Sequence, residues 1–112
     1  MERRSPVCGS QVTVDVMVDG QGRVAELGQI VKACALGQAS ASLMGAHAIG
    51  RSGDELVAAR DALAAFLGGA RDDPGDWPGL EIFRDARPYE ARHKSILLAF
   101  EAVAEAARQA AH

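Results

Sequence analysis

Aromatic residues make up only 4% of this 112-residue chain, so alanine, leucine and valine must fill whatever core it has. A hydrophobic share of 48% is enough for a modest core, and the length points to a single domain over 1–112. Basic runs are missing as well. The formal net charge is −3 with a pI of about 5.5, and no aromatics are interleaved with arginines, which excludes nucleic acid as the expected partner. No apolar run approaches the ~18 residues of a membrane-spanning helix, so no membrane is expected either. The opening Met1-Glu2-Arg3-Arg4-Ser5-Pro6 lacks the apolar stretch of a secretory signal, and a cytoplasmic location is the default. Cysteine is scarce, with two in the whole chain. In a reducing compartment such a pair reads as thiols or metal ligands rather than a structural disulfide. No Gly-rich phosphate loop, paired-carboxylate motif or serine-centred nucleophile motif is visible, and Ser40 and Ser42 read as small helix residues.

What is present has a clear order. From Gln11 to Val18 the residues alternate: Val12, Val14, Val16 and Val18 face one way, Gln11, Thr13, Asp15 and Met17 the other. Period two with β-branched side chains predicts a half-buried strand. Asp19-Gly20-Gln21-Gly22 is a turn signal, and a second strand is expected over 23–32, with a bulge or close backbone approach at Gly28. A helix is expected over 35–49, its apolar stripe being Leu36, Ala39, Leu43 and Ala46, with Gly50 ending it. Ser52-Gly53-Asp54-Glu55 reads as a capping box before a second helix bearing Leu56, Leu63 and Leu67. The stretch from Arg71 to Gly79 reads as a surface loop, after which Leu80, Ile82 and Phe83 pin a short segment to the core. A third helix over 89–110 buries Ile96, Leu97, Phe100, Val103, Ala104 and Ala107. Strands first and helices after predict an α+β fold: a small antiparallel sheet covered on one face by about three helices.

Cys34 falls where the second strand gives way to the first helix. Unpaired N–H groups and the helix dipole favour a thiolate there, which suits a ligand, a nucleophile or a persulfide carrier. A buried cysteine acting as a small hydrophobe is the competing reading. Cys8 precedes the first predicted strand, so the two thiols flank one predicted hairpin, and soft metal ions favour such thiolates. A tetrahedral zinc site needs four ligands, or three and a water. His47 lies far along the first helix from Cys34 and suits a structural or solvent role. His112 is terminal, and His93 near the start of the third helix suits a surface or capping role.

The residues together resemble a known family. Cys8-Gly9, Val16-Met17-Val18-Asp19, Gly22-Arg23-Val24, Ala33-Cys34-Ala35, Ala39-Ser40-Ala41-Ser42-Leu43-Met44 and Arg92-His93-Lys94-Ser95-Ile96-Leu97-Leu98-Ala99-Phe100 resemble the iron–sulfur cluster scaffolds. These are IscU, SufU and the N-terminal domain of NifU. Gly79-Leu80-Glu81 looks closer to the SufU branch. The resemblance implies a non-enzymatic protein that accepts sulfur from a cysteine desulfurase, assembles a 2Fe-2S cluster and passes it to acceptor proteins. Iron alone or zinc can occupy the same site. Cys8 and Cys34 match two of three family cysteines. The family's aspartate position holds Ser10, and the third cysteine falls on Lys94 in an IscU-like register or on Ser95 in a SufU-like one. Neither replaces a thiolate well. The ligand set implied for cluster or metal is therefore Cys8 and Cys34 with His93 assisting, or four thiolates pooled by a homodimer. A persulfide carrier or interaction module without a stable cluster is the alternative.

Overall fold

The computed structural model describes residues 2–4 and 11–110. Three strands, β1 (Glu2–Arg4), β2 (Gln11–Val18) and β3 (Val24–Lys32), form an antiparallel sheet in the order β1-β2-β3. Three α-helices follow: α1 (Ala35–His47), α2 (Gly53–Leu67) and α3 (Glu90–Ala110), with a 3-10 helix at Leu80–Ala86. The expected α+β architecture is present, with β1 as a strand that the alternation pattern did not flag.

The β2–β3 ladder runs from Gln11↔Lys32 to Val18↔Val24. Val12 and Val14 are fully buried, while Asp15 and Met17 on the other face are exposed, as period two requires. The register shift lies between Met17 and Val18, next to the turn. It does not lie at Gly28, which pairs regularly with Asp15 and has no atom within 4 Å of where a Cβ would stand. The bulge is displaced to the hairpin end because the Asp19 turn sets the register there. Asp19 Oδ1 accepts the N–H groups of Gln21 and Arg23 at 2.9 and 3.0 Å.

Helix α3 lies against β2, and both α1 and α2 pack on α3. This surrounds α3 with apolar neighbours and buries a wider face than the expected stripe. Leu98, Ala99, Ala102 and Ala106 join it, while Leu97 is only partly buried. The stripe predicted for α1 is corrected. Its buried residues are Gly37, Ser40, Ala41 and Met44, while Leu36, Ala39 and Leu43 sit at the margin and Ala46 is exposed. Small residues go inward because α1 approaches α3 closely. The hydroxyl of buried Ser40 donates to the carbonyl of Ile96.

The α2 start is capped as expected, with Ser52 Oγ accepting the Glu55 N–H at 3.2 Å. Gly50 (φ +89°) turns the chain after α1, and its N–H donates to Val24 at 2.8 Å. The stretch from Arg71 to Gly79 is not purely surface. Trp77 is buried, donates Nε1–H to the Leu43 carbonyl at 2.9 Å and stands edge-on to Phe100 at 5.1 Å. The 3-10 segment also differs from expectation. Three residues per turn send Leu80, Phe83 and Ala86 inward, leaving Ile82 61% exposed.

Candidate functional site

Cys34 is the N-cap of α1, with extended backbone (φ −67°, ψ 174°), and its carbonyl accepts the Gln38 N–H at 2.9 Å. Its own side chain makes no capping hydrogen bond, and the first turn contains no acidic residue. The first-turn N–H groups and the helix dipole thus favour negative charge beside a half-buried sulfur. The Gln38 side chain returns to donate to the Ala33 carbonyl at 3.0 Å, which fixes the turn before the cysteine.

One helical turn past Cys34, α1 meets α3. A methyl on Gly37 would fall 2.7 Å from the Ala33 Cβ and 3.4 Å from the Ser95 carbonyl oxygen, so glycine permits the approach. The two candidate positions of the third cysteine differ sharply. Ser95 is buried against this crossing and Lys94 is exposed.

His93 is half-buried, with Nε2 at 2.9 Å from the Arg87 carbonyl and 3.1 Å from that of Ala86. Its ring closes the end of the 3-10 helix. The capping role expected from sequence is met, but at the neighbouring helix rather than its own. These partners are backbone carbonyls, so no side-chain pattern could have announced them. Leu36, just past Cys34, lines a hollow of about 370 Å³ together with Ile82, Asp85, Ala86, Tyr89 and Arg92. Leu36 follows Cys34 by two residues and Arg92 directly precedes His93, but neither Cys34 nor His93 lines the hollow itself.

Cys8, Ser10 and His112 lie outside the described residues. The β2–β3 ladder reaches Gln11↔Lys32, two residues before Cys34. Among the described residues, no three of His, Cys, Asp and Glu stand close enough together to hold a metal ion. His47 sits at the far end of α1, edge-on to Trp77 at 6.4 Å.

The carboxylates with displaced pKa values are remote from Cys34 in the chain and belong to turns and caps. Asp19 is held below the usual range by the N–H groups of Arg23 and Gln21, and Asp73 by that of Gly75 with help from Arg71. Glu55 is lowered by its bond to the Arg23 guanidinium and by the Ser52 N-cap contact. They serve the frame.

No protein-family model matches the chain. It is 28% identical over 108 residues to the iron–sulfur cluster assembly scaffold protein IscU of Thermotoga maritima, spanning 96% of this chain and 75% of that one. It superposes on the crystal structure of a nitrogen-fixing NifU-like protein (N-terminal) from Brucella abortus with a TM-score of 0.91. That match is 43% identical and covers 98% of this chain and 76% of the other. A putative scaffold for the SUF system from Fervidobacterium islandicum, 24% identical over 95% of this chain and 77% of that one, shares the fold with a TM-score of 0.85. The chain belongs to the family of NifU-like and IscU iron–sulfur cluster assembly scaffolds. Among the described residues, no helix is long and apolar enough to cross a membrane.

Proposed function

We infer that this chain, as one domain over 1–112, is a scaffold on which an iron–sulfur cluster is assembled. Cys8 and Cys34 bind iron or a 2Fe-2S cluster, His93 supplies a nitrogen, and zinc can take the same place. Sulfur comes from a cysteine desulfurase and the cluster leaves to acceptor proteins. The chain binds and hands over, while turnover belongs to the desulfurase. A homodimer pooling the thiolates of two protomers is an arrangement that would complete four ligands.

The observation that carries this reading is Cys34 at an uncapped helix N-terminus, in a chain 43% identical to a NifU-like protein. A thiolate there is stabilised by the helix and remains partly accessible. The exposure of Lys94 favours a second reading, because a cation stands at one of the two candidate positions for the missing cysteine. In that reading Cys34 carries persulfide sulfur and no stable cluster forms.

Anaerobic reconstitution with iron and sulfide separates the two. Visible charge-transfer bands with matched iron and acid-labile sulfide after gel filtration, lost in Cys34→Ser, are expected of the scaffold. A colourless protein retaining no iron, yet gaining sulfur mass at Cys34 when incubated with desulfurase and cysteine, would replace the first reading with the second.

A further inference from the structure

Strand β3 leaves one of its sides open. It is an edge strand in the order β1-β2-β3, and among the described residues only the turn at Gly50, Arg51 and Ser52 pairs with that side, at Arg23 and Val24. Nine residues without a proline make a long edge, of the kind that proteins blunt with charges, bulges or a cover. Here the register shift sits at the hairpin end, and the strand's charges are one of each sign, Glu26 and Lys32. Gly28, between them, meets nothing within the chain: it pairs regularly with Asp15, and no atom stands within 4 Å of where its Cβ would be. Its bare backbone borders an open hollow of about 560 Å³ along with Asp15, Met17, Glu26 and Leu27. Glu26, Gly28, Ile30 and Lys32 are exposed on one face, Ile30 by 67%, while Leu27, Gln29 and Val31 are half-buried on the other.

We propose that this open side of β3 pairs with β3 of a second copy of the chain, antiparallel about a two-fold axis at Gln29, so that one sheet runs through both. Directly opposed side chains of an antiparallel pair share a face, so the axis must pass through a residue position. At Gln29, Glu26 faces the partner's Lys32, Leu27 the partner's Val31 and Gly28 the partner's Ile30, and symmetry repeats each contact. An axis at Gly28 would set Glu26 opposite Ile30. One at Leu27 or Ile30 would set a charge opposite Gly28, and one at Glu26 would set like charges together. The Gln29 register joins opposite charges at both ends, seats Ile30 on the bare backbone of Gly28 and matches the apolar Leu27 and Val31.

At the centre the two Gln29 side chains meet. Nε2 donates to the Ala41 carbonyl at 3.0 Å, while Oε1 is buried with no donor among the described residues. The amide nitrogen carries a second hydrogen, which each copy can give to the orphan Oε1 of the other. In this register the partner's Cys34 lies opposite Val24, so the two Cys34 residues stand roughly 30 Å apart along the strands. Each copy keeps its own site, and the pairing needs neither metal nor thiol, which separates it from a dimer that pools thiolates. One short edge gives a concentration-dependent pair and not an obligate dimer.

The test uses the full chain, reduced and with a chelator, so that neither a disulfide nor a metal can join two copies. Sedimentation equilibrium from micromolar to millimolar protein should show the mass rising from 11.7 kDa toward twice that value. Within one strand Glu26 and Lys32 are roughly 20 Å apart, so a carbodiimide-made amide between them forms only across two copies. Peptide mapping of the cross-linked dimer should find that link. Glu26→Lys and Lys32→Glu each bring like charges together at both ends and should weaken association about tenfold. Both side chains are exposed, so the fold does not depend on them. Mixed in equal amounts, the two variants should associate as the parent does. A monomer at every concentration overturns the proposal, as does a dimer that lacks the Glu26–Lys32 link or ignores both charge reversals. None of these outcomes touches the scaffold reading, which the iron and sulfide reconstitution decides separately.

Discussion

Ser40 on α1 gives its hydroxyl hydrogen to the carbonyl oxygen of Ile96 on α3, and both residues are fully buried. The bond fixes the two helices that carry Cys34 and His93 relative to each other. Removing it in Ser40→Ala should cost about 1 kcal/mol, because the Ile96 carbonyl keeps its place in the α3 ladder. Ser40→Val removes the same bond and adds volume at a fully buried position between the helices, so it should cost more, about 1–3 kcal/mol beyond the alanine variant. Urea midpoints at constant m-value would show it. Equal midpoints for the two variants would mean that the crossing has slack.

Two glycines of α1 should respond differently to the same methyl group. At Gly37 the added carbon meets the Ala33 Cβ at 2.7 Å with the Ser95 backbone behind it. At Gly45 it meets only the Gln29 Nε2 at 2.8 Å, the end of a flexible side chain. Alanine gains up to about 1 kcal/mol of helix propensity in either place. Gly37→Ala should nevertheless be net destabilising by about 1–3 kcal/mol and should weaken zinc binding, since Ala33 adjoins Cys34. Gly45→Ala loses the 3.0 Å bond from Gln29 to the Ala41 carbonyl and should end within about 0.5 kcal/mol of the parent. Thermal midpoints of the two variants, measured side by side, decide it.

Much of this fold was legible because local rules and burial agree. Alternating valines in β2, the Asp19 turn, the Ser52–Glu55 cap and the Phe100 face of α3 each follow one pattern, and the structure keeps all four. The misses share a physical cause, which is tertiary packing overriding a single-element pattern. In α1, large residues suggested the inward face, but the close approach to α3 selects Gly37 and Ser40. A loop rich in Asp, Pro and Gly concealed Trp77, whose indole needs only the Leu43 carbonyl and the Phe100 ring to be buried. In the site, Cys34 at a helix start could be read directly. The orientation of His93 could not, because it is set by main-chain oxygens that carry no residue identity.

Acid should weaken the hairpin turn. Asp19 is lowered by the N–H groups of Arg23 and Gln21, so the folded state favours its charged form. The sign follows: the contribution is fully present above the unfolded pKa and is lost as pH falls through the lower folded value, below about pH 4. Asn in its place still offers an oxygen to both N–H groups but does not titrate. Asp19→Asn should therefore lose less stability between neutral pH and about pH 3 than the parent does. Denaturant unfolding across that range checks this, and parallel curves for the two proteins would refute it.

Trp77 is the one tryptophan of the chain and lies by Leu43 and His47, toward the end of α1 opposite Cys34. Its ring is buried between Phe100, at 5.1 Å, and the Arg51 guanidinium, 4.7 Å from its centroid. Its fluorescence should therefore report unfolding and ignore loading. Trp77→Ala should cost about 3–5 kcal/mol through the cavity it leaves. In the parent, zinc should leave the native emission unchanged yet raise the emission-detected melting midpoint, because a ligand that prefers the folded state stabilises it by mass action. Cys34→Ser should abolish the rise without altering the native emission. If zinc instead shifts or quenches that emission, the ion sits against His47 and Trp77, and His93 is not the nitrogen that binds it.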